Sequence, residues 1–261
     1  MTGPDFLLFL GLVVLGSLVQ SITGFAMALI VMGGVALLGV ADIRLAAAVV
    51  SLIAVVNSTL ALRRNTHHVD VSIWRALLVG LLPCTLLGVL LLDYLSNDFY
   101  ELLRLALGVV IILAGTLLMF QPRPFEQPSG VLAAMLFGGA GGLIGGLYGA
   151  GGAPMAWFIY RQPMSVLVAR ATLLATFLVS TLGRTLVVAV AGHITREVLV
   201  LAAMSIPLVV VATLVGNRLG PLLPDRLIRR IVFAVLILLG ALLITQSLWQ
   251  TVGVSAHHTT G

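Results

Sequence analysis

The chain is dominated by apolar segments that are long enough to cross a lipid bilayer. Of its 261 residues, 60% are hydrophobic and only 9% are charged. A helix needs about 20 apolar residues to span the hydrocarbon core, and a soluble domain needs far more polar surface than this chain offers. The sequence therefore predicts an all-α polytopic membrane protein with about eight membrane segments. The segments fall at roughly 5–40, 44–62, 71–92, 99–120, 131–161, 165–191, 197–223 and 227–250.

The polar residues exclude several classes of function. All 14 basic residues are Arg, so the chain has no lysine for a Walker-type phosphate site or a Schiff base. No basic run exceeds two adjacent Arg, so we expect the net charge of +5 to report topology and not nucleic-acid binding. Cys84 is the only cysteine, which excludes an internal disulfide and a thiolate metal cluster. We expect no cofactor and no resident metal.

The N-terminal 16 residues lack a basic region and a cleavage signal, and we expect them to begin the first membrane segment. The longest polar stretch is 121–130, with three prolines and both signs of charge, and it predicts a connecting loop. We accordingly divide the chain into a first transmembrane repeat at 1–122, a central loop at 123–130 and a second repeat at 131–261. The sequence leaves a monomer and a homodimer open.

The division into repeats depends on a fixed shift of 125 residues. This shift aligns Gly16 and Gly24 with Gly141 and Gly149. It also aligns His68 with His193, Arg104 with Arg229 and Gly115 with Gly240. Internal repeats with corresponding interrupted segments are typical of secondary transporters, in which the substrate site lies at the repeat interface.

The second repeat opens on a glycine-rich stretch, 138–154, which reads GGAGGLIGGLYGAGGAP. Nine of these 17 residues are Gly, and each interior Gly costs a helix about 1 kcal/mol relative to Ala. Unwound backbone at membrane depth is tolerated only where it is buried in protein or lines a wet cavity. Two interpretations are open: a broken helix at a substrate site, or close helix packing through Gly138, Gly142 and Gly146.

The counterpart in the first repeat is 16–27, which reads GSLVQSITGFAM. Gly24 is placed to let the chain turn before a second half-helix, and Pro154 suits the first turn of a new helix in the second repeat. Both breaks would present free backbone N–H groups at a helix N-terminus, where anions are favoured. Two such termini predict one anion site near the bilayer midplane. Helix–helix hydrogen bonding by Gln20, Ser21 and Thr23 is the alternative.

The placement of Arg residues predicts how the broken segments run. If each one enters and leaves on the same side, ten Arg residues face the cytoplasm and three face outward, as the positive-inside rule requires. Three clean crossings per repeat then make the two repeats inverted, with both termini outside. The inside set is Arg63, Arg64, Arg75, Arg123, Arg161, Arg170, Arg218, Arg226, Arg229 and Arg230, and the outside set is Arg44, Arg104 and Arg196.

The paired stretches GSLVQSITGFAMAL and GGLIGGLYGAGGAP resemble the two half-motifs of the sulfite exporter TauE/SafE family, and the resemblance covers essentially the whole chain. It implies a multi-pass permease of the bacterial inner membrane, embedded in the lipid bilayer. It also implies a small anionic substrate, such as sulfite or a sulfonate. The first half-motif departs from the family pattern at Ala26 and Met27, where many members have glycine.

Arg184 is the most unusual charge, because it lies inside a membrane segment. It either faces the bundle interior beside an oxyanion or snorkels to the outer interface. Asn57 occupies the matching part of the first repeat. The alternative function is a permease or channel for a cation or metal ion, and the absence of Asp and Glu at mid-membrane disfavours it. No Ser/His, Cys/His or paired-Asp set in the spans predicts an enzyme. The predicted substrate-binding residues are Gln20, Ser21, Thr23, Gly24, Asn57, Tyr148, Gly149, Gly151, Gly152 and Arg184.

Overall fold

A computed structural model describes residues 3–23, 25–63, 65–119, 124–220 and 225–258. Within these ranges the chain forms ten α-helices, one short 3₁₀ turn at Thr66–His68 and no strand. The helices are α1 (Gly3–Thr23), α2 (Met27–Leu38), α3 (Ile43–Leu62), α4 (Val71–Asp98), α5 (Tyr100–Met119), α6 (Val131–Tyr148), α7 (Gly152–Tyr160), α8 (Val166–Val190), α9 (Arg196–Leu219) and α10 (Asp225–His258). The prediction of an all-α fold is confirmed.

Eight of the described helices are long and apolar enough to cross a membrane, and α2 and α7 are the shorter ones. The predicted number of membrane segments is confirmed. Each of the two interrupted segments resolves into a pair, with a long helix followed by a short one. At 1.5 Å per residue, α1 is about 31 Å long and α2 about 18 Å, so the second arm reaches only part of the way across.

Four of the described spanning helices are capped at their N-termini by polar residues at the segment ends. Asp42 accepts hydrogen bonds from the backbone N–H groups of Arg44 and Leu45, and Asp70 does the same at the start of α4. Ser165 and Thr195 cap α8 and α9 in the same way. Because each cap satisfies N–H groups that have no partner inside the helix, it fixes where the helix starts.

Each long–short pair is a helical hairpin. The backbone of Gly16 lies against Met27 and Gly34 lies against Leu12, so α2 runs back along α1. Gly141 lies against Met155 in the same manner, so α7 runs back along α6. The broken segments therefore return toward the end of the bundle from which they start.

The helix boundaries follow the 125-residue shift. Adding 125 to the last residue of α1 gives the last residue of α6, and adding 125 to the first residues of α2, α4 and α5 gives the first residues of α7, α9 and α10. The packing follows the same correspondence. Helix α1 packs on α9 as α6 packs on α4, and the counterparts α3 and α8, and α5 and α10, pack against each other.

The glycine-rich stretch 138–154 combines both interpretations of its sequence. It is helical up to Tyr148 and again from Gly152, so only the three residues between them are unwound. Gly138, Gly142 and Gly146 lie directly against the carbonyls of Leu77, Leu81 and Thr85 in α4. A Cβ at any of these three glycines would overlap a backbone oxygen, so they allow close packing of α6 on α4.

Candidate functional site

A small cavity lies where the two helix breaks meet. Its volume is about 30 Å³, enough for roughly two water molecules. Helices α3 and α8 complete its wall. The described residues that line it are Gln20, Ala26, Ala28, Leu29, Ala54, Ser58, Gly149, Ala150, Gly151, Gly152, Phe177, Ser180 and Thr181.

At the first break, the side chain of Gln20 accepts a hydrogen bond from the N-terminus of α2. The backbone N–H of Met27, the first residue of α2, donates to Oε1 of Gln20 at 3.3 Å. Ala26, which precedes it, has a φ of 90°, a left-handed conformation that costs a residue with a Cβ roughly 1–2 kcal/mol. Backbone strain of this kind persists only where the surrounding structure fixes it, and here it lies on the cavity wall.

The second break is built from glycine. Gly149 has a φ of 68°, which glycine adopts without steric cost, and its N–H closes α6 on the carbonyl of Gly145 at 2.8 Å. Gly151 precedes α7, and no described side chain caps the N-terminus of that helix. Pro154 lies in its first turn and has no N–H to satisfy, as predicted. The first amide groups of α7 therefore remain beside the cavity.

A buried polar network behind the cavity fixes Gln20. Nε2 of Gln20 donates to Oδ1 of Asn57 at 2.9 Å. The amide of Asn57 in turn donates to Oγ1 of Thr213 at 2.8 Å and to the carbonyl of Ser17 at 3.4 Å. Asn57 thus links α1, α3 and α9, and it orients the cavity residue Gln20 without lining the cavity itself.

Two serines on the cavity wall are absent from the predicted site residues. Ser58 of α3 is 0% exposed, and its hydroxyl has no hydrogen-bond partner among the described atoms. Ser180 of α8 lies near Gly145 and Gly151. A buried hydroxyl without a partner costs roughly 1–3 kcal/mol, so Ser58 is a donor or acceptor available to a ligand.

Arg184 lies inside the bundle and not at the outer interface, since it is only 2% exposed. Its Nε donates to the carbonyl of Gly146 at 3.0 Å, and its Nη1 donates to the carbonyl of Ala47 at 2.6 Å and to the hydroxyl of Ser51. The guanidinium therefore joins α3, α6 and α8 one helical turn beyond Ser180. No described carboxylate lies within ion-pair distance of it.

Three other predicted site residues face away from the cavity. The hydroxyl of Ser21 donates to the carbonyl of Leu18, against Gly216 of α9. Thr23 bonds the carbonyls of Val19 and Phe25, and Tyr148 donates to the carbonyl of Leu103 at 2.9 Å. These contacts hold the helix ends at the two breaks. Gly24 lies outside the described residues.

The chemistry of the wall favours a negatively charged ligand. The described lining residues carry no charge, and they offer hydroxyls, amides and apolar surface. Across the part of the chain that the structure describes, no group of three His, Cys, Asp or Glu side chains could hold a metal ion. The positive charge of Arg184 lies next to this wall, and among the described residues no carboxylate forms an ion pair with it.

Comparison with known proteins gives the family. The sequence profile described as sulfite exporter TauE/SafE matches residues 8–243, which include every residue of the cavity wall. The chain belongs to the TauE/SafE sulfite exporter family. A relative named probable sulfite/organosulfonate exporter TauE, from Cupriavidus necator, is 40% identical over 236 residues, which cover 89% of this chain and 91% of the relative. No solved structure matches the chain.

Membership of the TauE/SafE family confirms the resemblance seen in the two half-motifs. The chain is a multi-pass membrane transporter and not an enzyme. Within the TauE/SafE match, the residues 16–27 and 138–154 lie on the two hairpins that meet at the cavity.

Proposed function

We propose that this protein exports sulfite and small organosulfonates across the bacterial inner membrane, and that it binds them in the cavity between the two helix breaks. The observation that carries the proposal is the position of the cavity, against the first turns of both α2 and α7. Helix N-termini at membrane depth favour anions, because their free N–H groups and the helix dipole both carry partial positive charge.

The cavity of about 30 Å³ has to widen to admit an organosulfonate, and its wall offers both parts that such an anion needs. Ser58, Ser180 and the amides of the second break supply donors for the sulfonate oxygens. Ala54 and Phe177 supply apolar surface for a short carbon chain. Arg184 stabilises the negative charge from one turn away, and its Nε and Nη1 are held in place by two carbonyls and Ser51.

We further propose that the repeats 1–122 and 131–261 have inverted topology. Ala47 lies near Arg184 while Leu62 packs with Ala171 and Leu174, so α3 and its counterpart α8 run antiparallel. Gly108 lies against Gly240 and Gly115 against Phe233, so α5 and α10 are antiparallel as well. Equivalent helices that run in opposite directions around one cavity are the arrangement on which alternating access depends.

Two polar clusters close the ends of this arrangement. At the first, which we call the Asp93 end, Arg44 bonds Ser96 and lies 4.0 Å from Asp93, while Nδ1 of His193 lies 3.5 Å from Asp93. At the second, the Arg170 end, Arg170 donates to the carbonyl of Ser21 and to Asn217. We propose that the two clusters open in turn as the cavity is exposed to either side.

The distribution of Arg orients the protein. The Arg170 end carries most of the described Arg residues, so we assign it to the cytoplasm and the Asp93 end to the periplasm. The described Arg residues at the cytoplasmic end are Arg63, Arg75, Arg161, Arg170, Arg218, Arg226, Arg229 and Arg230, and those at the other end are Arg44, Arg104 and Arg196.

Single cysteines test this orientation. In a Cys84→Ala background, Leu38→Cys should react with a membrane-impermeant thiol reagent added to intact cells, because Leu38 is exposed at the Asp93 end. Thr66→Cys, in the turn after α3, should react only after the membrane is permeabilised. Labelling of Thr66→Cys in intact cells would overturn the assignment.

Transport in reconstituted vesicles tests the function itself. We expect purified protein to move labelled sulfite and ethanesulfonate, and not divalent metal cations. The cation permease is the competing function, and it requires ligands that the described cavity wall lacks. Movement of a divalent cation with no movement of either anion would refute the proposed function.

A further inference from the structure

Few charged groups surround the cavity, and together they carry a net charge of one positive unit. Among the described residues, those that line the cavity are all neutral. Arg184 follows the lining residue Ser180 by four positions, about 6 Å along the helix axis. Its bonds go to two carbonyls and one hydroxyl, so nothing in contact with it neutralises its charge.

The other charged groups near these helices are compensated or more distant. Arg104 pairs with Glu101 at 3.7 Å. Asp93 interacts electrostatically with Arg184, but it also lies 4.0 Å from Arg44 and 3.5 Å from His193, so Arg44 offsets its negative charge and the positive charge of Arg184 remains. Arg170 precedes the lining residue Phe177 by seven positions, about 10 Å along α8, and it is bonded at the opposite end.

Charge balance then decides which ionic forms the cavity accepts. The cost of moving an ion out of water grows with the square of its charge, so a dianion costs about four times as much as a monoanion of the same size. One Arg and a set of neutral donors compensate a single negative charge. A second negative charge on the ligand would have no buried cation opposite it.

The serine hydroxyl fits a singly protonated anion. Ser58 is unpartnered, and a hydroxyl can donate one hydrogen bond and accept others. The Ser58 hydroxyl can therefore donate a hydrogen bond to a sulfonate oxygen or accept a hydrogen bond from an S–OH group. Hydrogensulfite offers both kinds of partner, and an alkanesulfonate offers the first.

We propose that the cavity selects monoanions: it carries sulfite as hydrogensulfite, accepts monovalent alkanesulfonates through the same donors, and rejects the dianions sulfite and sulfate. This inference rests on the proposed function of the cavity. It goes further by stating the charge of the transported anion. It also states that Ser58 and the positive charge of Arg184 determine which anions the cavity accepts.

The test compares two substrates in vesicles with equal pH on both sides, from about pH 6 to about pH 9. Hydrogensulfite loses its proton near neutral pH, so its share of total sulfite falls by more than about tenfold across this range. Ethanesulfonate stays a monoanion and Arg keeps its charge, so ethanesulfonate transport controls for any pH effect on the protein itself. We expect the ratio of the sulfite rate to the ethanesulfonate rate to fall with the hydrogensulfite fraction, by more than about tenfold. We also expect a hundredfold excess of sulfate to inhibit neither.

The possible outcomes separate this inference from the proposed function. A rate ratio that stays constant or rises with pH would overturn the charge selection while leaving the protein an anion exporter. Competitive inhibition by sulfate, or transport of ethanesulfonate without sulfite, would also overturn it. Failure of both substrates to move would refute the proposed function itself.

Discussion

Replacing Arg184 with Gln removes the positive charge beside the cavity and keeps an amide that can donate to one of the neighbouring carbonyls. Arg184 follows Ser180 by one helical turn, so we place its charge about 8 Å from a bound anion. At an effective dielectric constant of about 20, two unit charges at that distance interact by about 2 kcal/mol. Because 1.4 kcal/mol is a factor of ten, Arg184→Gln should raise the KM for ethanesulfonate about 30-fold.

The assay is ethanesulfonate transport in reconstituted vesicles over a range of concentrations, with Arg184→Lys as the matched control. Because Lys keeps the positive charge, the KM of Arg184→Lys should stay within a few-fold of wild type. Lys cannot reach the carbonyls of Gly146 and Ala47 together, so this variant also loses one of the two contacts. Both variants should be less stable by roughly 1–3 kcal/mol, because a buried carbonyl loses its donor. A folded Arg184→Gln protein with the wild-type KM would refute a role for this charge in binding.

Two further pairs of variants test the cavity wall. Ser58→Ala should raise the KM for ethanesulfonate about 5- to 10-fold, the value of one hydrogen bond, and it should not lower the thermal midpoint, because the hydroxyl has no partner in the fold. Ser205→Ala is the control, since Ser205 is equally buried and unpartnered but does not line the cavity; equal KM effects in the two would sink the assignment of Ser58. Gly151→Ala should lower stability by about 1–3 kcal/mol and abolish transport, because its Cβ would overlap a carbonyl of α6. Gly130→Ala, where a Cβ meets nothing within 4 Å, should behave as wild type, and normal transport by Gly151→Ala would argue against the rigid second break.

The fold followed from the sequence because the signals for it are long. Twenty-residue apolar segments are set by bilayer thickness, and a fixed 125-residue shift locates the starts of α7, α9 and α10 from those of α2, α4 and α5. The hairpin course of the broken segments could also be inferred, since only that course keeps most Arg residues on one side. Asp42 and Asp70 marked helix starts as polar residues between apolar segments.

The extent of the second break could not be inferred from composition. Glycine is equally suited to an unwound turn and to close helix contact, and 138–154 uses it for both. Which glycines pack on α4 depends on the position of that helix. The sequence of α6 alone does not contain this information.

The rotation of each helix about its own axis, which decides the side chains that face the cavity, could not be inferred from the sequence either. In a soluble helix the polar face marks the solvent side, but a membrane helix is apolar all round and gives no such reference. Ser58 and Ser180 face the cavity, while Ser21 and Thr23 bond to nearby carbonyls, and nothing in their local sequence separates the two cases. Arg184 was ambiguous for the same reason, and its burial became evident only once α3 and α6 were placed beside it.

Substrate protection of Ser58 is the most direct test that the cavity between the two breaks binds the transported anion. In a Cys84→Ala background, Ser58→Cys should react with a small anionic thiosulfonate reagent as the cavity opens during transport. Ethanesulfonate should slow this reaction, with half-protection at the KM for its transport. Reaction at an unchanged rate in saturating ethanesulfonate, in protein that still transports it, would place the anion elsewhere and contradict the account.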